Sequence, residues 1–294
     1  MDLLLQLAVN GVVVGSIYAL VAVGFALIFA TTRLFHFAHG GVYALAAYVI
    51  FFVKQAFKLD ILVGLLFAIA IAVAVGVGIE LAVYRPLRRL GATQLVILIG
   101  SLGVMIFLQN LLAMVFGTDS KSLGTGVVVE GYHFGPVTLT SLQIITVLAA
   151  VLLFVFLQLY LLKTKTGKAI RAVANNPGMA EVVGINADRI FLLAFAIGSA
   201  LAAPAALLIS LHTGLFPTMG MLAIMLAAIA VIVGGLGSIP GAALGALLIG
   251  VTENVGVWQI PSEWQSAIAF GLLLVFIIFR PTGFFGQKLR KAEI

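Results

Sequence analysis

Residues 61–83 read ILVGLLFAIAIAVAVGVGIELAV, with Glu80 as the sole charge. A hydrocarbon core of about 30 Å is spanned by about 20 helical residues. The bilayer also requires every backbone polar group to be paired within the structure. The run has the length of a crossing helix and lacks the alternation of a barrel strand. Working outward, comparable apolar runs lie at about 3–30, 37–53, 93–116, 139–162, 190–211, 219–233, 241–257 and 265–280. The expected fold is therefore an all-α integral membrane protein, a polytopic bundle of eight or nine helices forming a single transmembrane domain over residues 1–294. The 3–30 run would be about 42 Å long as a helix, so it is expected to tilt or to begin at the interface.

Composition agrees. Of 294 residues, 63% are hydrophobic and 9% charged, whereas soluble domains carry about a quarter charged residues. The chain has no cysteine, which excludes disulfides, thiolate metal sites and cysteine nucleophiles. Met1-Asp2-Leu3 has no basic region before the first apolar run, which reads as a retained helix rather than a cleaved signal. The net charge of +6 sits in short loops beside apolar runs, where it sets membrane orientation rather than nucleic-acid binding.

Three basic clusters are expected on the cytoplasmic side: Arg85, Arg88 and Arg89; Lys163, Lys165, Lys168, Arg171 and Arg189; Arg280, Lys288, Arg290 and Lys291. Residues 117–140, with Asp119, Lys121 and Glu130, then fall outside, as does 252–265. Nine crossings would place the N-terminus outside and the C-terminus inside. Arg33 supports this arrangement; Lys54 and Lys58 oppose it.

The loop KTKTGKAIRAVANNPGMAEVVGINADR, residues 163–189, is the long polar stretch of the chain and carries five basic residues. Residues 168–173 are expected to be helical, Pro177 to start a second short helix and Gly184 to end it. Such an element can fit a groove in a partner; a solvated surface loop is the plainer alternative.

Two glycine-marked breaks interrupt the apolar pattern, at Phe37-Ala38-His39-Gly40-Gly41 and at Gly234-Gly235-Leu236-Gly237-Ser238-Ile239-Pro240-Gly241. Interrupted segments in two halves of a membrane protein mark a pathway at a repeat interface. The second break reads equally well as a tight turn between two helices. Gly237, Gly241 and Gly245 recur every four residues and are expected to form one close-packing helix face.

Few residues could carry chemistry. His36 and His39 have two-ligand spacing but no neighbouring carboxylate, so helix-end or interfacial roles are expected rather than a metal. Glu80 reads as a helix-end residue paired with the basic loop, and Glu253, beside Asn254, as facing water; an ion pathway would require one of them inside the membrane. Gln109 and Asn110 lie within an apolar run, where amides either join helices or meet a passing substrate. Ser101, Thr213 and Thr218 are weaker candidates for the same role. No GxxxxGK[ST] phosphate loop occurs, so ATP hydrolysis by that route would need a separate subunit.

Several ordered motifs then carry a resemblance: Gly15-Ser16-Ile17-Tyr18-Ala19-Leu20, Phe37-Ala38-His39-Gly40, Tyr84-Arg85-Pro86-Leu87-Arg88, Ile106-Phe107-Leu108-Gln109-Asn110, Gly184-Ile185-Asn186 with Asp188-Arg189, the 234–241 stretch, and Pro281-Thr282-Gly283. Over nearly its whole length the chain resembles the permease subunit of branched-chain amino acid ABC importers, in its LivH-type form. The resemblance implies a multi-pass bacterial inner-membrane protein, a LivM-like second permease, two cytoplasmic ABC ATPases and an extracytoplasmic substrate-binding protein. It implies no catalytic site, metal or cofactor in this chain. Ala180, Glu181, Gly184, Ile185 and Asn186 are similar to the family's coupling segment that meets the ATPase. Asn175, Asn176 and Pro177 replace its usual charged residues, which puts those partner contacts in doubt. His39, Gly40, Gln109, Asn110, Gly235 and Gly237 are the candidate translocation path. Relatives carry urea, short amides or other amino acids. Competing classes are an ion-coupled amino acid carrier dependent on Glu80 or Glu253, and a membrane enzyme built on His36 and His39.

Overall fold

The computed structural model describes residues 2–124 and 131–286; Glu130, Lys288, Arg290 and Lys291 lie outside the described residues. The chain runs through α1 (Asp2–Thr32), α2 (Ala38–Phe57), α3 (Ile61–Ile79), a π-turn (Glu80–Tyr84), α4 (Arg85–Arg89), α5 (Gln94–Phe116), a hairpin of β1 (Gly131–Phe134) and β2 (Val137–Thr140), then α6 (Ser141–Lys163), α7 (Lys165–Asn175), α8 (Pro177–Val182), α9 (Ala187–Thr213), α10 (Met219–Gly234), α11 (Ile239–Gly256) and α12 (Gln265–Phe279). Among the described residues, eight helical stretches are long and apolar enough to cross a membrane, with the π-turn and α4 continuing α3. The protein is a multi-pass membrane protein.

Contacts at the two ends of the bundle place the ninth passage. At one end Gln6 bonds both backbone groups of Thr138 in the hairpin, at 3.0 and 2.8 Å, and Lys121 pairs with Leu215. At the other, the Arg33 guanidinium donates to the Ala174 carbonyl at 2.9 Å. There too the amides of Phe284 and Phe285 bond to the carbonyls of Val233 and Gly234, at 2.9 and 3.0 Å. The 214–218 link and helix α10 together run from beside Lys121 to beside Phe284, so despite the helix's shorter length they carry the chain from the hairpin end to the basic end. The two described ends of the chain therefore lie at opposite ends of the bundle, as nine crossings require.

In lipid, helices associate through close packing rather than by escape from water, and the centre of this bundle is built accordingly. Helix α1 is buried from its middle to its end and packs on α9, α10 and α11. A Cβ on Gly11 would sit 2.6 Å from the Val251 Cα and one on Gly15 2.9 Å from the Leu247 Cα, so α11 lies backbone to backbone against α1. Gly241 and Gly245 pack on the carbonyls of Gly234 and Ala230 in α10. The expected glycine face thus exists for those two; Gly237 precedes the helix in a left-handed turn with φ +90°.

The outer helices show their apolar side chains to the surroundings, with Leu152, Phe156, Phe107 and Phe279 exposed. Thr140 opens α6 with a capping box, its hydroxyl accepting the Gln143 N–H while the Gln143 side chain accepts the Thr140 N–H.

Candidate functional site

The chain breaks twice inside the bundle, each time in the same way. Helix α1 ends at Thr32 and α9 at Thr213; Arg33 and Gly214 follow with φ of +58° and +81°; α2 and α10 begin only after a short non-helical link. The links share sequence, Thr32-Arg33-Leu34-Phe35 and Thr213-Gly214-Leu215-Phe216, and both leucines are buried. One link leaves the basic end and the other the hairpin end, so the two halves run in opposite directions. The starts of the broken helices meet: a Cβ on Gly40 would strike the Gly220 carbonyl, and one on Gly220 the Gly40 carbonyl. Gly24 and Gly198, within α1 and α9, touch in the same reciprocal manner, each Cβ position 2.8 Å from the other's carbonyl oxygen.

The first break lies at 33–37 and overlaps the expected Phe37–Gly41 stretch only at Phe37, since Ala38–Gly41 open α2; the second lies at 214–218 rather than at 234–241. The latter is a turn between α10 and α11, in which Ser238 accepts the Gly241 N–H at 3.1 Å. The signal that locates the true partner is the repeated Thr-x-Leu-Phe, a local sequence echo rather than a glycine cluster.

Around the start of α2 lies a buried polar group. The Tyr84 hydroxyl lies 2.7 Å from His36 Nδ1 and donates to Ser101 Oγ at 2.7 Å, and Ser101 Oγ accepts the Ala38 N–H at 3.0 Å. His36 and His39 are fully buried, against their expected helix-end or interfacial placement, because the link carries them into the bundle. His36 Nε2 and Ser199 Oγ have no hydrogen-bond partner among the described residues. Tyr84 closes the π-turn, whose backbone bond runs from the Arg85 N–H to the Glu80 carbonyl. The wider turn leaves Glu80 and Tyr84 buried together. Glu80 is 1% exposed and is held by the Arg88 guanidinium through two nitrogens, one of them 3.1 Å from Oε2. The expected pairing with the basic segment is present, at greater depth than a helix end. Glu253, expected to face water, is also buried.

The candidate path residues do not come together. His39 and Gly40 sit at the start of α2. Gly235 packs on Gly286 and Gly237 near the Arg33 side chain, at the basic end. Gln109 is half-buried on α5 and Asn110 is exposed there, its amide donating to the Ile106 carbonyl at 2.8 Å.

At the basic end, 163–189 folds as a two-helix elbow. Thr164 caps α7, which buries Gly167, Ile170 and Val173; a Cβ at Gly167 would lie 2.5 Å from the Leu161 Cα of α6, fixing the elbow to that helix. Asn176 caps α8, with Pro177 at its first turn. The helix closes on Gly184, φ +85°, where the Ile185 N–H reaches the Ala180 carbonyl at 2.9 Å, a closure that favours glycine. Ala180 is buried, Ile185 half-buried, and Glu181, Gly184 and Asn186 are exposed. Met179, Val182 and Val183 are exposed at 62, 80 and 73%, an apolar knob on an otherwise polar segment. Gly184→Pro, whose ring demands φ near −65°, is expected to unravel this closure; limited proteolysis of purified protein should then cut at 182–186 in the variant and spare the parent.

Over residues 7–277 the sequence matches the family described as branched-chain amino acid transport system / permease component. The chain belongs to that permease family. It is 37% identical to the high-affinity branched-chain amino acid transport system permease protein BraD of Pseudomonas aeruginosa, with 96% of each chain covered. It is 35% identical to LivH of Escherichia coli K12, again over 96% of each, and 27% identical to a probable LivH of Methanocaldococcus jannaschii, over 97% of this chain and 93% of that one. Among solved structures, PsaBC from Streptococcus pneumoniae in complex with Fab matches with a TM-score of 0.52 at 11% identity, over 93% of this permease and 91% of that chain, a likeness of fold alone.

Proposed function

We propose that this permease forms, with a LivM-like second permease, the path for leucine, isoleucine, valine or related amino acids across a bacterial inner membrane. Two cytoplasmic ATPases supply the work and an extracytoplasmic binding protein delivers the cargo. The observation that carries the ATPase contact is the knob of Met179, Val182 and Val183. Large exposed apolar groups on a polar helix outside the lipid-facing surface mark a protein contact, and the elbow holding them is fixed to α6 and α9. Ala180, Glu181, Gly184, Ile185 and Asn186 shape that contact.

The basic end is cytoplasmic by the excess of Arg and Lys there. The path runs between this chain and the second permease, with the amides of Gln109 and Asn110 on the outward side of α5 facing it and His39 and Gly40 moving with the start of α2. Gly235 and Gly237 allow the turn at the cytoplasmic exit. Glu80 is paired with Arg88, which disfavours it as the carrier site of an ion-coupled transporter.

The test is co-purification of the assembly expressed from all its subunits. Val182→Asp/Val183→Asp is expected to reduce recovered ATPase at least tenfold while the permease pair stays intact. Full ATPase recovery with that variant removes the elbow as the contact, and amino acid uptake by the chain alone in vesicles replaces the whole reading with a self-sufficient carrier.

A further inference from the structure

Two side-chain connections join the flanks of the elbow to the start of α2. Asp188 stands in the first turn of α9, directly after α8. Its Oδ2 receives two nitrogens of Arg85, Nη2 at 2.8 Å and Nε at 3.0 Å, with Arg89 at 3.9 Å. Arg85 adjoins Tyr84, whose hydroxyl reaches His36 and Ser101, and Ser101 holds the first amide of α2. On the opposite flank Arg33 grips the Ala174 carbonyl at the end of α7. Arg33 is also the residue at which α1 turns into the link, with a left-handed φ of +58°, sparsely populated for a residue with a side chain.

Arg85 and Asp188 are 33 and 40% exposed. An ion pair that open to water contributes little to stability, so its two-pronged geometry suits positioning better than holding the fold together. The element it pulls on is the π-turn of Glu80–Tyr84. Such single π-turns inside α-helices are frequent at functional sites, and this one holds Tyr84 against His36 and Ser101 at the entry to α2.

We infer that Arg33 and the Arg85–Asp188 pair are positioning residues that form a yoke, transmitting movement of the ATPase-facing elbow to the interrupted start of α2 through the π-turn. The inference rests on the elbow being the ATPase contact. Closure of the ATPases shifts the elbow, the yoke draws Tyr84 and the 34–37 link with it, and α2 parts from or returns to α10 at Gly40 and Gly220.

The measurement is ATP hydrolysed per amino acid imported, in liposomes holding the full assembly and supplied with binding protein. Asp188→Asn should keep its ATPases and hydrolyse within about twofold of the unmodified assembly while uptake falls at least tenfold. The reversed pair, Arg85→Asp with Asp188→Arg, should recover uptake to within threefold. Tyr84→Phe, which removes one hydroxyl and keeps the ring, should raise the ATP-to-import ratio at least threefold in assemblies that still purify with all their subunits.

Unchanged uptake in Asp188→Asn overturns the yoke, as does a proportional fall of uptake and hydrolysis. A Tyr84→Phe ratio equal to the parent's removes the π-turn from the route. An unmodified assembly that recruits no ATPase, or imports without one, refutes the elbow reading itself and is visible before any variant is made.

Discussion

Gly220→Leu is expected to abolish uptake. A side chain there has to occupy the space of the Gly40 carbonyl, and neither partner is a flexible side-chain tip that could swing aside. Overpacking a well-filled interior costs about 1–3 kcal/mol where side chains can adjust; here the helix starts themselves must separate. Gly40→Leu should fail in the same way, since the contact is reciprocal. Uptake of labelled leucine by cells dependent on this transporter, read against the amount of chain in the membrane, checks both. Normal uptake with either variant would show that α2 and α10 do not rely on this approach during transport.

The second large effect concerns Glu80. Removing one partner of a buried ion pair leaves an uncompensated charge and costs about 3–5 kcal/mol, and Glu80 is almost completely withdrawn from its surroundings. Arg88→Ala should therefore lower the amount of chain accumulating in the membrane severalfold and depress its melting temperature in detergent. The double variant Glu80→Gln/Arg88→Ala should recover most of the loss, because the amide carries no charge to strand. Equal instability of the single and double variants would assign the Arg88 effect to its packing over the Phe191 ring instead.

Periodicity and composition made the bundle legible because a crossing helix needs a long apolar run, and the elbow was legible because Asn176, Pro177 and Gly184 each act through local backbone preference. Depth was harder to read. His36 and His39 look like end residues in sequence since a polar pair usually marks where lipid stops; nothing local reveals that the 33–37 link dives inward. The glycines at 234–241 drew attention by number, although the close approach that breaks the bundle needs a single glycine, Gly220, beside another far away in the chain. Glu253 is buried near the end of α11, a depth that its place beside Asn254 does not indicate.

Because α2 and α10 enter from opposite ends, their N-termini face each other near the middle of the bundle. Each helix start carries a partial positive charge, and both lie away from bulk water, which would screen it. Two such ends raise the energy of any cation placed between them. If α2 and α10 part here as proposed, these two ends would disfavour leakage of cations, and so help keep the voltage and proton gradient on which the rest of the cell draws.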